Sequence, residues 1–199
     1  MLRLRNFSPI FLAILSMPGV ALCQAHAQSQ AAHKSTITIH VGKVGLFSGF
    51  AHAHTISAPI ATAAIDPKSK TATITVLTRE MQVIDPGVSE KDRAEVQANM
   101  LGPKVLDAQK FPEIRFTSTR IGQTAPQRFR VIGNLQLHGV TRRLEFPVSG
   151  TPEHYTGKTT LKQTDFGIQP ISLAGGMIKV KDEVEIEFDV YPGQPKTVK

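Results

Sequence analysis

Near its C-terminal end the chain reads Lys181-Asp182-Glu183-Val184-Glu185-Ile186-Glu187-Phe188-Asp189-Val190-Tyr191. Val184, Ile186, Phe188 and Val190 alternate with Glu183, Glu185, Glu187 and Asp189. That two-residue period belongs to a strand with one face in a core and the other in water, and so to an antiparallel sheet. The acids form a charge row on the outer face, with lysines of a neighbouring strand as their natural partners.

The same signal recurs upstream. Thr36 to Val41 places Ile37, Ile39 and Val41 on one face, and extended stretches run from Ala51 to Ile65 and from Thr71 to Ile84. The turn cluster Asp66-Pro67-Lys68-Ser69-Lys70 separates these two, and Asp85-Pro86-Gly87 closes the second. From Glu113, Ile114 and Phe116 share a face. In Arg128 to His138 the shared set is Phe129, Val131, Gly133, Leu135 and Leu137, and in Arg142 to Val148 it is Leu144, Phe146 and Val148. His154 to Asp165 reads as a threonine-rich strand. Only once does the period change. Ser89-Glu90-Lys91-Asp92 has the form of a capping box, and Arg93 to Leu101 has helix-forming composition, with Val96, Met100 and Leu101 at helical spacing. Gly102-Pro103 ends it, and one more short turn is expected at Val105-Leu106. About eight strands, one helical excursion and no βαβ rhythm predict an all-β fold, a barrel or a sandwich. The length of the strands favours an antiparallel barrel of about eight strands with a short helical insertion, whose interior is wide enough for one ligand. Gly133 on the inward face suits either a cavity or a bend.

Composition sets the outer limits. The chain has 199 residues, 41% hydrophobic and 20% charged, with a formal net charge of +7. One cysteine excludes a disulfide framework. Arg3 and Arg5, an apolar run from Ile10 to Cys23 and the small-residue exit Ala25-His26-Ala27 have the layout of a secretory signal peptide, with cleavage expected after Ala27. Residues 1–27 are therefore read as a signal peptide, 28–34 as a polar leader, 35–192 as the barrel domain and 193–199 as a tail. Export to the periplasm follows. Losing Arg3 and Arg5 lowers the charge from +7 to +5, too little and too scattered to argue nucleic-acid binding.

Three further stretches carry a resemblance: Lys110-Phe111-Pro112-Glu113-Ile114-Arg115-Phe116, Leu135-Gln136-Leu137-His138-Gly139-Val140-Thr141 and Gln163-Thr164-Asp165-Phe166-Gly167-Ile168. With the strand from Lys181 and the Asp- and Arg-bearing segment before Phe111, their order resembles the YceI-like family of secreted polyisoprenoid-binding proteins, over about Ser35 to Tyr191. The resemblance implies a lipocalin-like barrel around a long apolar tunnel that holds an isoprenoid chain, such as a quinone tail or a polyprenyl phosphate. The chain departs from the commoner family pattern in its His52-Ala53-His54 and in the helical segment Asp92 to Leu106.

Side chains expected to line such a tunnel are Phe47, Phe50, Ile56, Phe116, Phe129, Leu135, Leu137, Phe146, Phe166 and Phe188, with His52 and His54 at its rim. In a regular strand the two imidazoles share a face with Ile56, Ala58 and Ile60. They could then hydrogen-bond one another's surroundings, meet a ligand head group, or hold a metal or haem iron. No third ligand is evident, so no metal or other cofactor is expected. His138 reads as a turn residue before Gly139. Asp165-Phe166-Gly167 lacks the companion motifs of a kinase, Ala174-Gly175-Gly176 lacks a phosphate-binding context, and no G-x-S-x-G elbow is present. Asp165 invites a catalytic reading but has no partner. The cations Arg142, Arg143, Lys158, Lys162, Lys179 and Lys181 could gather at one end, toward a diphosphate or an anionic leaflet, or lie scattered. The expectation is a non-enzymatic exported carrier of a long isoprenoid lipid, with peripheral membrane contact and a homodimer both compatible. Competing readings are a metal- or haem-associated redox partner using His52 and His54, a hydrolase or isomerase acting through Asp165, and a stress-response interaction module.

Overall fold

The computed structural model describes residues 34–44, 53–173 and 178–193. The expected signal peptide, most of the leader, Phe47, Phe50, His52, the Ala174-Gly175-Gly176 segment and nearly all of the tail lie outside the described residues. Among the described residues, ten strands and one α-helix follow in order: β1 (Thr36–Val44), β2 (His54–Asp66), β3 (Thr71–Leu77), β4 (Gln82–Val83), α1 (Glu90–Leu101), β5 (Glu113–Ala125), β6 (Arg128–Leu137), β7 (Val140–Thr151), β8 (His154–Lys162), β9 (Ser172–Leu173) and β10 (Ile178–Val190). Eight of them close into an antiparallel ring, β1-β10-β8-β7-β6-β5-β3-β2, sealed where β1 pairs with β2. The two-residue β4 and β9 attach to β2 and β10. The expected eight-stranded barrel with a helical insertion is what the chain forms.

Alternation sets the inside. Val184 and Val190 of β10 are buried, as are Ile56, Ala58 and Ile60 of β2 and Val131, Leu135 and Leu137 of β6. β2, β5 and β10 each run 13 residues, about 43 Å of extended chain, which the tilt of barrel strands reduces to a wall roughly 30 Å tall. The wall has two rims. His54, Leu77, Leu137 and Lys162 mark one, hereafter the His54 rim. Asp66, Thr71, Ala125 and Arg128 mark the other. At the His54 rim, His138 (φ 51°) and Gly139 (φ 76°) make the two-residue hairpin between β6 and β7, and positive φ at both positions is what that turn type demands.

Helix α1 starts where the capping box places it. Ser89 Oγ accepts from the backbone N–H of Asp92 at 3.1 Å, and its hydroxyl donates to the Asp92 carboxylate at 2.8 Å. Gly102 and Pro103 stop it. The helix docks through Gln97, which donates to the Met81 carbonyl and accepts from the Val83 N–H, both at 2.8 Å. Met100 alone of its side chains is buried.

Two extended stretches are shorter than the sequence suggests. Thr71 to Ile84 is interrupted by a 3-10 turn at Thr78–Glu80. The Thr78 N–H and hydroxyl both turn to the segment before β5, donating to the Pro112 and Phe111 carbonyls. Those donors are lost to the ladder. Likewise β8 ends at Lys162 rather than Asp165. The Asp182 carboxylate captures the Thr164 N–H and hydroxyl, at 2.9 and 2.7 Å, and Gly167 (φ 73°) caps the resulting 3-10 turn Gln163–Phe166.

Candidate functional site

The interior holds a cavity of about 680 Å³, within the roughly 300–1,000 Å³ typical of small-molecule sites. Its wall is overwhelmingly apolar, with side chains contributed by all eight barrel strands. Ile56, Phe116, Phe129, Leu135, Leu137, Phe146 and Phe188 all line it, and so does His54. Phe166 does not. The 3-10 turn after β8 swings its ring into the packed core, where it is 1% exposed and away from the cavity wall.

The aromatic part of the wall depends on two glycines. A Cβ on Gly133 would lie 2.5 Å from the Thr117 carbonyl oxygen and closer still to the Phe116 ring. The inward glycine is therefore neither part of the void nor a mere bend: it is the bed on which Phe116 lies, beside a bulge in β5 between Ser118 and Arg120. Gly157 of β8 serves Phe188 of β10 in the same way. With both rings laid over glycine, Phe116 and Phe188 each reach Phe146, at centroid distances of 5.3 and 5.5 Å, within the range of favourable edge contacts. Nothing in the sequence pattern pointed to Gly157, because its partner lies 31 positions away.

At both rims the wall turns polar, with Asp66, Lys70 and Gln123 bordering the cavity at one and His54 at the other. His54 Nδ1 lies 2.6 Å from Oδ2 of Asp85, whose other oxygen accepts from the Thr55 N–H at 2.6 Å. A carboxylate can only accept, so Nδ1 carries the proton that joins the two side chains. Asp85 is 4% exposed. The Asp85-Pro86-Gly87 turn was legible as a turn, yet the aspartate's service to a histidine on another element was not. Its removal should be felt. Asp85→Ala strands the Thr55 N–H and frees the imidazole, with an expected loss of about 1–3 kcal/mol. A urea titration reads it, and a midpoint equal to that of the parent protein would contradict the role.

The remaining sequence candidates fall elsewhere. His138 is the hairpin residue expected, and its ring reaches across to the Phe166 carbonyl (3.2 Å) while packing edge-on against Phe111. Asp165 is exposed on its turn. The acid row of β10 faces outward, as its alternation predicts. Lys158 of β8 bonds Glu187 and lies 3.7 Å from Glu185. The bond to Glu187 raises the lysine's pKa and lowers the glutamate's. Of the six cations singled out, Lys158 sits mid-strand, whereas Arg142, Arg143, Lys162, Lys179 and Lys181 are exposed toward the His54 rim. On the exposed edge of α1, Asp92, Glu95 and Asn99 also border the cavity. Among the described residues, no group of three or more His, Cys, Asp or Glu side chains is placed to hold a metal ion, and no helix is long and apolar enough to cross a membrane.

Comparison with known proteins bears on the whole barrel. A family model described as a YceI-like domain matches residues 25–191. A UPF0312 protein of Pseudomonas putida (strain W619) is 33% identical over 88 residues, which is 39% of this chain and 46% of that protein. The chain thus spans about half the length of the curated relatives it matches. Among solved structures, BcnA of Burkholderia cenocepacia superposes with a TM-score of 0.54 at 18% identity, covering 78% of this chain and 94% of that one. The Campylobacter jejuni YCEI protein does so with a TM-score of 0.50 at 14% identity, covering 90% and 96%. At these identities the likeness is one of fold.

Proposed function

The chain belongs to the YceI-like family, and from that premise we propose that it is an exported, non-enzymatic carrier of a single long isoprenoid lipid, of quinone or polyprenyl type, held in the barrel. The observation that carries the proposal is the cavity: about 680 Å³, apolar over nearly all its wall, inside a shell roughly 30 Å tall. Each methylene moved from water into such a lining contributes about 0.8 kcal/mol. A few isoprene units therefore outweigh the several kcal/mol that association costs in lost freedom. Affinity comes from the chain and selectivity from the few polar groups at the rims.

Export supplies the setting. A leader cleaved after Ala27 delivers the barrel to the periplasm, where a water-insoluble lipid needs a soluble host between membranes. The exposed cations toward the His54 rim are disposed to meet an anionic leaflet for loading and release.

The test is direct. Protein purified from its native host under mild conditions is extracted with organic solvent, and the extract is analysed by mass spectrometry. One isoprenoid per chain is expected. Repeated preparations that carry no lipid, and that take up no added quinone or polyprenol, would remove the proposal.

A further inference from the structure

Helix α1 borders the cavity without being part of its sheet. Asp92, Glu95, Val96, Asn99 and Met100 meet the cavity, and their spacing puts them on one helical face. Among the described residues, no backbone hydrogen bond joins the helix to a strand. Its fixed neighbour is β4, which pairs with β2 through Ile56↔Val83 and Ser57↔Gln82. The far edge of β4, where a further strand would bond, is taken by the Gln97 side-chain amide, at the Met81 carbonyl and the Val83 N–H. Besides that amide, the helix sinks only Met100 into the core.

Both connections to the helix are pinned to the barrel, and the pins lie outside the helix itself. Before it, Asp85 accepts from the Thr55 N–H, and Ile84 donates to the Thr55 carbonyl. After it, Leu106 is buried, and the Phe111 and Pro112 carbonyls accept from Thr78. Between pin and helix lie the exposed Pro86 and Gly87 on one side and Gly102-Pro103 on the other. A Cβ on Gly87 would meet nothing within 4 Å. A few such residues are enough to absorb the rotation of a hinge.

The rest of the wall opens less readily. Parting β5 from β6 or β6 from β7 breaks a ladder of backbone bonds. β7 and β8 pair only from Ser149 to Thr151, but the turn Gln163–Phe166 touches both strands. That turn is tied by Asp182 to Thr164, and its Phe166 is fully buried. Lifting α1 from β4 costs two side-chain hydrogen bonds and the cover over one methionine.

We propose that α1 is the gate of the cavity: it swings away from β4 to admit and release the ligand at the His54 rim, and Gln97 is its latch. The inference rests on the carrier reading and adds the route by which the cavity is filled. The latch bonds two backbone groups of the barrel and not the ligand, so it holds the gate equally over an empty or a filled cavity. Weakening it therefore raises the rates of entry and exit by the same factor and leaves the Kd where it was. A residue that only supported the fold would not produce that pattern.

The test follows uptake and release of two fluorescent probes, retinol and cis-parinaric acid, by stopped flow. Each neutral hydrogen bond is worth a factor of about two to ten in an equilibrium. Gln97→Leu should thus speed both uptake and release about tenfold or more, with the Kd within about twofold of the parent, which also certifies the fold. The converse variant carries Gln82→Cys and Ala98→Cys, both exposed positions, in a Cys23→Ser background, joined by a short reducible bis-methanethiosulfonate linker. Joined, it should take up the probes at least tenfold more slowly, and reduction should restore the parental rate. Gln97→Leu with parental rates overturns the inference, as does a joined protein that loads at the parental rate, which would put the entrance elsewhere. Equal slowing in the single-cysteine variants carrying the same reagent also overturns it, since bulk rather than tethering would then be the cause. Failure of both probes to bind the parent protein would strike the carrier reading itself, and the gate with it.

Discussion

Ala58→Phe is expected to strip the barrel of lipid while leaving it folded. Ala58 is 2% exposed, sits between Ile56 and Ile60 on the inward face of β2, and borders the cavity. The cavity that Ala58 borders gives an added benzyl group room to enter, which limits the strain of overpacking, about 1–3 kcal/mol in a filled core. The ring occupies room for about four methylene groups of a ligand, worth about 3 kcal/mol. Affinity should fall roughly a hundredfold, read as lost lipid in the mass spectrum of purified protein at an unchanged thermal midpoint. An undiminished lipid load on an intact barrel would mean that the ligand lies somewhere else.

Gly133→Ala should have the opposite character, with stability lost first. The added methyl meets the Thr117 carbonyl oxygen at 2.5 Å and the Phe116 ring. The carbonyl belongs to the β5–β6 ladder, and the ring is already against Phe146. Neither can yield without reopening the wall, so a loss of about 3 kcal/mol or more is expected. Gly122, on the neighbouring strand β5, has nothing within 4 Å of its hypothetical Cβ. Gly122→Ala should therefore stay within about 0.5 kcal/mol of the parent. Urea denaturation of the two variants side by side decides the matter: coincident curves would show that Gly133 is not a bed for the ring.

What could be read in advance, and what could not, divides along sequence distance. The alternation of Val184 to Val190 with their acids, the Ser89 cap and the stop at Gly102-Pro103 are local, and each stands where local chemistry put it. The breaks were invisible for the opposite reason. Thr78 leaves the ladder because its donors find Pro112 and Phe111, and the strand from His154 ends early because Asp182 seizes Thr164. No propensity over a short window contains those partners. The site shows the same division. Phe116, Phe129, Phe146 and Phe188 reach the wall by simple parity, whereas Phe166 is turned aside by a 3-10 turn. Asp85 escaped notice because it looks ordinary in its own segment, a turn aspartate whose histidine lies 31 positions upstream.

The seam of the ring has a consequence for how the molecule comes into being. β1, the first strand, finds its neighbours in β2 and in β10, so that Thr36 faces Asp189 across more than 150 positions of chain. The circle is incomplete until the final strand arrives. Earlier intermediates present two open flanks, and closing so long a loop makes folding slow relative to chains rich in short-range contacts. A nascent chain of this kind is at its most vulnerable to mispairing with its own copies just before its last thirteen-residue strand is delivered.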